Sequence, residues 1–153
     1  MPSTPSLLER ISEDFADLTF ENGQHFEWQP DSRTVVYDID DPYFDAHLLH
    51  EVSHAILNHT KYDRDIDLIA MERDAWQLAK VEMAERYGVR VPASILHYDM
   101  DTYRDWLHSR STCPHCGSNG LQVKKREYRC VTCLRSWKVN EARSCALRRY
   151  RIT

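Results

Sequence analysis

Apolar residues recur along this chain with two different periods, and the points where the period changes divide it into elements. Leu7, Leu8, Ile11, Phe15 and Leu18 fall at helical spacing, which predicts an amphipathic helix over about residues 5–17, with Ser3 and Thr4 as its caps. Between residues 18 and 38 the period shortens. Thr19-Phe20, His25-Phe26-Glu27-Trp28 and Thr34-Val35-Val36-Tyr37 are aromatic and β-branched runs, separated by the turn signals Asn22-Gly23 and Pro30-Asp31-Ser32. That pattern predicts a small antiparallel β-meander of three strands. Helical spacing then returns from Pro42 or Phe44 to Asn58, in a stretch apolar on most sides. A second helix is expected from Asp63 or Asp65 to Tyr87, ending at Gly88, and a third over Ser94–Ser109 with Leu96, Met100, Tyr103, Trp106 and Leu107 on its buried side. Beyond residue 109 only short strand-like pieces around Val123 and Tyr128 remain, so the fold class is α+β.

The first of these long helices carries chemistry. His50-Glu51-Val52-Ser53-His54 is an H-E-x-x-H run, and histidines four apart are separated by about 40° around a helix, so both rings face one side and can share a metal ion. Glu51 then stands beside that metal as a carboxylate able to hold a water there. Eighteen residues after His54, Glu72 shares a face of the next helix with Ala75 and Ala79. Two small residues allow close approach of the helices, which lets the Glu72 carboxylate serve as third ligand and leaves a fourth position open, as a catalytic metal requires. Two alternatives stay open: His59, which leaves the metal-facing side unless the helix ends before it, and an aspartate among Asp63, Asp65 and Asp67.

On these residues the chain resembles the gluzincin metallopeptidases, and within them the small minigluzincins and ImmA/IrrE-type peptidases. The resemblance covers about residues 30–90 and rests on His50, Glu51, His54 and His59, then on Glu72, Ala75 and Ala79. It implies a zinc peptidase in which His50, His54 and Glu72 bind the metal and Glu51 is the general base. In those families a strand above the metal helix pairs with an extended peptide substrate. They also carry an aspartate four residues after the glutamate ligand to orient a metal-bound histidine; this chain has Trp76 there, so that role passes to Asp74 or a backbone carbonyl. Peptidases of this type need a donor to the oxyanion, for which His97, Tyr98 and Tyr103 are candidates.

All five cysteines follow residue 112, in Cys113-Pro-His-Cys116, Cys130-Val-Thr-Cys133 and Cys145. Two C-x-x-C pairs thirteen residues apart, in a chain otherwise without cysteine, read as a closed tetrahedral zinc site rather than as disulfides. Such a site folds about 25 residues that could not build a core alone. This stretch resembles the zinc ribbon of SprT-type metalloproteins, although SprT uses a later histidine as third catalytic ligand and none lies between His59 and His97.

Charge separates the same two regions. Residues 110–153 carry eleven Lys and Arg against Glu127 and Glu141, a charge of +9, while residues 1–109 carry −13, giving the net −4. The expected organisation is therefore an HExxH peptidase-like domain over 1–109, folding without its neighbour, and a ribbon with a basic tail over 110–153. Lys124, Lys125, Arg126, Trp137, Arg148, Arg149 and Arg151 interleave cations with an indole, which suits phosphate contacts and base stacking. The competing expectation is that this charge docks on the acidic domain. No apolar run approaches the roughly 20 residues a bilayer span needs, and the amino-terminal stretch lacks the basic start and apolar core of a secretion signal, so a cytoplasmic protein without a membrane partner is expected.

Function is thus expected to be peptide-bond hydrolysis in a peptide or protein substrate, with two Zn2+ per chain, one catalytic and one structural. The alternative is a non-peptidase zinc protein that binds nucleic acid or regulates a partner through its basic ribbon.

Overall fold

The computed structural model of the chain describes residues 4–141 and 149–151, which form two compact units, one of residues 4–61 with 71–97 and one of 62–70 with 98–141 and 149–151. The class is α+β, and among the described residues no helix is long and apolar enough to cross a membrane.

The first unit opens with α1, Leu7–Asp14. Its cap is Ser6 rather than Ser3 or Thr4: the Ser6 hydroxyl accepts from the Glu9 N–H at 3.2 Å and the Glu9 carboxylate accepts from the Ser6 N–H at 3.2 Å. This reciprocal capping box satisfies two N–H groups that a helix start leaves orphaned. Ile11 is fully buried beneath it.

Three strands follow, β1 (Thr19–Asn22), β2 (Glu27–Gln29) and β3 (Thr34–Tyr37), in the order β1-β3-β2. The expected meander is corrected here. β2 and β3 form the antiparallel hairpin, but β1 runs parallel to β3, with Phe20 opposite Val35, so the sheet is mixed. The Pro30-Asp31-Ser32 turn behaves as read, closing with the Arg33 N–H on the Pro30 carbonyl at 3.2 Å. Asn22-Gly23 does not make a hairpin. A side chain at Gly23 would meet Val36 Cγ1 at 2.7 Å, and the Gly23 N–H extends the parallel pairing to the Tyr37 carbonyl at 2.7 Å. The glycine is thus there for close approach of two strands, a use that the Asn-Gly turn signal does not distinguish.

Helix α2 spans Phe44–Ile56 and buries Ala46, Leu48, Leu49, His50, Val52, Ser53, His54 and Ala55. A helix buried on so many sides is a core element. Ser53, which has no apolar surface to offer, returns its hydroxyl to the Leu49 carbonyl at 2.6 Å. The next helix is α3, Asp65–Leu78, which passes through a π turn at Ala79–Met83 into α4, Ala84–Tyr87. Ala75 and Ala79 have no exposed surface, in keeping with the close approach read from their size. Helix α5 spans Ala93–Ser111.

The second unit is centred on a four-stranded antiparallel sheet, β4 (Gly120–Lys124), β5 (Glu127–Cys130), β6 (Ser136–Val139) and β7 (Arg149–Arg151). Its core is Cys113, Tyr128, Cys130, Trp137 and Val139, with the Tyr128 and Trp137 rings stacked at 5.8 Å. Asp65 and Arg110 are buried in this same unit, with the Arg110 Nε donating to Asp65 Oδ2 at 2.7 Å.

Candidate metal centres

Helix period brings His50 and His54 to one face of α2, and α3 presents Glu72 to them. His50 Nε2 lies 2.9 Å from one Glu72 oxygen, His54 Nε2 lies 3.0 Å from the other, and the two imidazole nitrogens are 3.2 Å apart. All three side chains are buried. Ligands about 2.05 Å from a tetrahedral ion stand about 3.4 Å from one another, so this triangle needs to open by only a few tenths of an ångström to hold zinc. Of the three candidates for third partner, Glu72 is the one that completes the cluster; Asp65 is buried in the other unit.

Burial alone would raise the Glu72 carboxyl, but hydrogen bonds from His50 and His54 outweigh it and hold the group well below the usual carboxylate range. An anionic carboxylate between two buried imidazoles is the protonation state that a divalent cation needs. Glu51, half-buried on α2, is the remaining carboxylate of the motif.

The rings of the two histidines are held differently. Trp76 stacks on His50 with centroids 4.0 Å apart and planes 21° from parallel. His54 places its other nitrogen, Nδ1, 2.8 Å from Nδ1 of His59. Burial is the main cause lowering the pKa of His59, with His54 contributing. The Asp74 carboxylate pairs with Arg73 at 3.2 Å. The sequence signal for His59 was Asn58, since asparagine just after the last apolar position of a helix marks a left-handed cap.

The second cluster is Cys113, Cys116, Cys130 and Cys133. Cys113 Sγ and Cys133 Sγ are 3.7 Å apart, and Cys116 Sγ and Cys130 Sγ 3.5 Å. Sulfurs at about 2.3 Å from a tetrahedral ion stand about 3.8 Å apart, so this set is close to its ligated geometry. The two C-x-x-C turns repeat one another. In each, the first cysteine's N–H reaches the carbonyl five residues on, Ser118 at 2.7 Å and Arg135 at 2.8 Å, and a left-handed residue, Gly117 or Leu134, closes the turn. N–H groups of His115 and Thr132 point at Cys113 Sγ and Cys130 Sγ, both at 3.3 Å. Hydrogen bonds from Ser118, its backbone first, draw the Cys116 thiol down to about 6. All four positions are sulfur, so a tetrahedral ion held there would have no position left open.

The other described residues singled out in the sequence are members of neither cluster. His97 and Tyr98 are exposed on α5, and Tyr103 is buried. Lys124, Lys125 and Arg126 are exposed at the β4–β5 turn, with Arg126 facing Glu141 at 3.4 Å. Arg149 and Arg151 are exposed but tie β7 to the first cysteine turn, donating to the carbonyls of Thr112 at 2.8 Å and Pro114 at 3.1 Å. Arg148 and Cys145 lie outside the described residues. Trp137 is corrected: it has no exposed surface, stacks on Tyr128 and donates its Nε1–H to the Arg110 carbonyl at 2.9 Å, so it offers no face to a base.

Comparison of the chain with protein-family models, with curated proteins and with solved structures finds no match to any of the three.

Proposed function

We propose that the chain is a cytoplasmic zinc-dependent endopeptidase, a gluzincin-like enzyme with a structural zinc ribbon. The observation that supports this reading most is the buried convergence of His50, His54 and Glu72, with Glu51 following His50 on the same helix. Three protein ligands leave one position of a tetrahedral ion for water or substrate, which is the arrangement of catalytic rather than structural zinc. A zinc ion bound there would polarise the scissile carbonyl and acidify water. His50 and His54 would hold it through Nε2 and Glu72 through its carboxylate. Glu51 would take a proton from the attacking water and return it to the departing amine.

The test is Glu51→Gln in the full chain, assayed on an unfolded protein substrate with metal content measured in parallel. The substitution keeps size and polarity but removes the base, so hydrolysis should fall by about 10²-fold or more with metal content unchanged. Undiminished hydrolysis in that variant would place the base elsewhere.

A second reading, a non-peptidase zinc protein that binds nucleic acid or regulates a partner, is favoured by the exposed Lys124, Lys125 and Arg126 on the ribbon. Tight binding of single-stranded nucleic acid that weakens steeply with salt, in a protein that hydrolyses nothing, would support it over the first.

A further inference from the structure

We propose that His59 is the positioning residue that orients His54 for its metal, through an imidazole–imidazole hydrogen bond built by the C-terminal cap of α2. The inference rests on the reading of His50, His54 and Glu72 as a zinc site.

On a continuing helix, position 59 would sit about 140° around the axis from His54 and could not reach its ring. The helix does not continue. Asn58 adopts the left-handed conformation at φ 58°, its N–H bonds the Ala55 carbonyl at 3.1 Å, and the His59 N–H bonds the His54 carbonyl at 3.0 Å. These are the two bonds of a Schellman cap, with His54 three positions inside the end and His59 two positions beyond it. That cap folds the chain back so that the side chains at those two positions meet. In most proteins the contact is hydrophobic; here it joins two imidazoles, with rings 5.0 Å apart and Nδ1 atoms at 2.8 Å.

Two Nδ1 atoms at that distance share one proton. His54 turns its Nε2 toward His50 and Glu72, at 3.2 and 3.0 Å; when that nitrogen gives a metal its lone pair in place of a proton to Glu72, the ring's proton is on Nδ1. His54 therefore donates and His59 accepts. A metal-binding histidine generally gives its second N–H to a carboxylate or a carbonyl, and His59 fills that place. His59 is itself anchored, because the Trp28 Nε1–H on β2 donates to its carbonyl at 2.8 Å. That anchor uses the backbone, so replacing the His59 side chain leaves it intact.

The experiment measures zinc affinity at the histidine site of the full chain by competition with a chelator, and the visible absorption of the Co2+-loaded protein. The four-cysteine site in the same molecule is the internal control. His59→Ala should weaken zinc about 10–100-fold at the histidine site alone and alter the cobalt absorption from that site. His59→Asn, whose amide oxygen can still accept from His54 Nδ1, should recover most of the affinity. Asn58→Gly, which keeps the left-handed cap, should bind as wild type, whereas Asn58→Val, which disfavours it, should weaken zinc with His59 still present. Zinc affinity within twofold of wild type in both His59→Ala and Asn58→Val would overturn the inference. A wild-type chain that binds metal only at its cysteines would overturn instead the metal reading on which the inference rests. Should His59→Ala not fold, the comparison of His59→Asn, Asn58→Gly and Asn58→Val still decides.

Discussion

Replacing Asp65 with alanine should be among the most damaging single changes outside the metal ligands, because this carboxylate is the common acceptor of a buried network. Arg110, fully buried, reaches it through Nε at 2.7 Å and Nη2 at 3.5 Å, and the Tyr128 hydroxyl donates to the same Oδ2 at 2.5 Å. The Asp65 N–H donates to Gln122 Oε1 at 2.7 Å, but that bond is from the backbone and survives substitution. In Asp65→Ala the guanidinium keeps the Asn140 carbonyl and loses its counter-charge. Leaving such a charge buried costs about 3–5 kcal/mol. The stranded Tyr128 hydroxyl would add about 1–3 kcal/mol if counted alone, but both donors lose the same oxygen, so the figures overlap and about 3–5 kcal/mol is the working value. Tyr128→Phe, which leaves the ion pair whole, should cost only about 1 kcal/mol. Asp65→Leu combined with Arg110→Met removes both charges and should recover most of the loss, since a well-packed apolar pair is often no worse than a buried ion pair. Urea unfolding of the zinc-loaded full chain, with the two singles and the double, measures these values. A loss below about 1 kcal/mol in Asp65→Ala, or a double variant no better than either single, would refute the reasoning.

Further outcomes follow from particular contacts. A chain ending at Ser109 loses Arg110, Gln122 and Tyr128, the partners of Asp65, together with most of the unit that buries it, so residues 62–70 and 98–109 should be cleaved faster by protease than in the full chain. Gly120→Ala should weaken the ribbon by about 1–3 kcal/mol and speed zinc loss from the cysteines, because the new methyl would meet Trp137 Cη2 at 2.5 Å and the Arg129 carbonyl oxygen at 2.7 Å. Alkaline stability should fall above about pH 10, where an unfolded tyrosine ionises. Burial, and then a hydrogen bond to Asp14, push native Tyr87 up to about 12, while burial and Asp65 raise Tyr128 further, so each is stabilising below pH 10 and loses that contribution as pH rises through its native value. Tyr87→Phe should flatten that limb in a pH series of thermal unfolding.

Much of the metal chemistry was legible because it is local. The helical period places His50 and His54 on one face without knowledge of the fold, the two C-x-x-C turns carry their own geometry, and the size of Ala75 and Ala79 anticipates how near Glu72 can come. What could not be read depends on partners distant in sequence. The parallel pairing of β1 with β3 crosses a connection that contains β2, and the Asn22-Gly23 signal looks the same whether glycine serves a turn or close approach to Val36. Trp137 beside Arg135 and Lys138 resembles a stacking surface until the sheet turns it against Tyr128. Arg110 sits at the polar end of an amphipathic helix in sequence, and only the meeting of Asp65, Tyr128 and Asn140 makes its burial tolerable. His59 leaves the metal-facing side if the helix continues; the left-handed Asn58 ends the helix and brings the ring against His54, outside the cluster of His50, His54 and Glu72.

Zinc stoichiometry of the purified full chain, beside that of Glu72→Ala, tests the central claim most directly. The wild type should carry two zinc ions per chain, one removed quickly by chelator and one slowly. Glu72→Ala should lose the fast ion and keep the slow one at Cys113, Cys116, Cys130 and Cys133. A wild-type chain with a single ion held by the cysteines, or a Glu72→Ala chain that still holds two ions with wild-type affinity, would contradict the account.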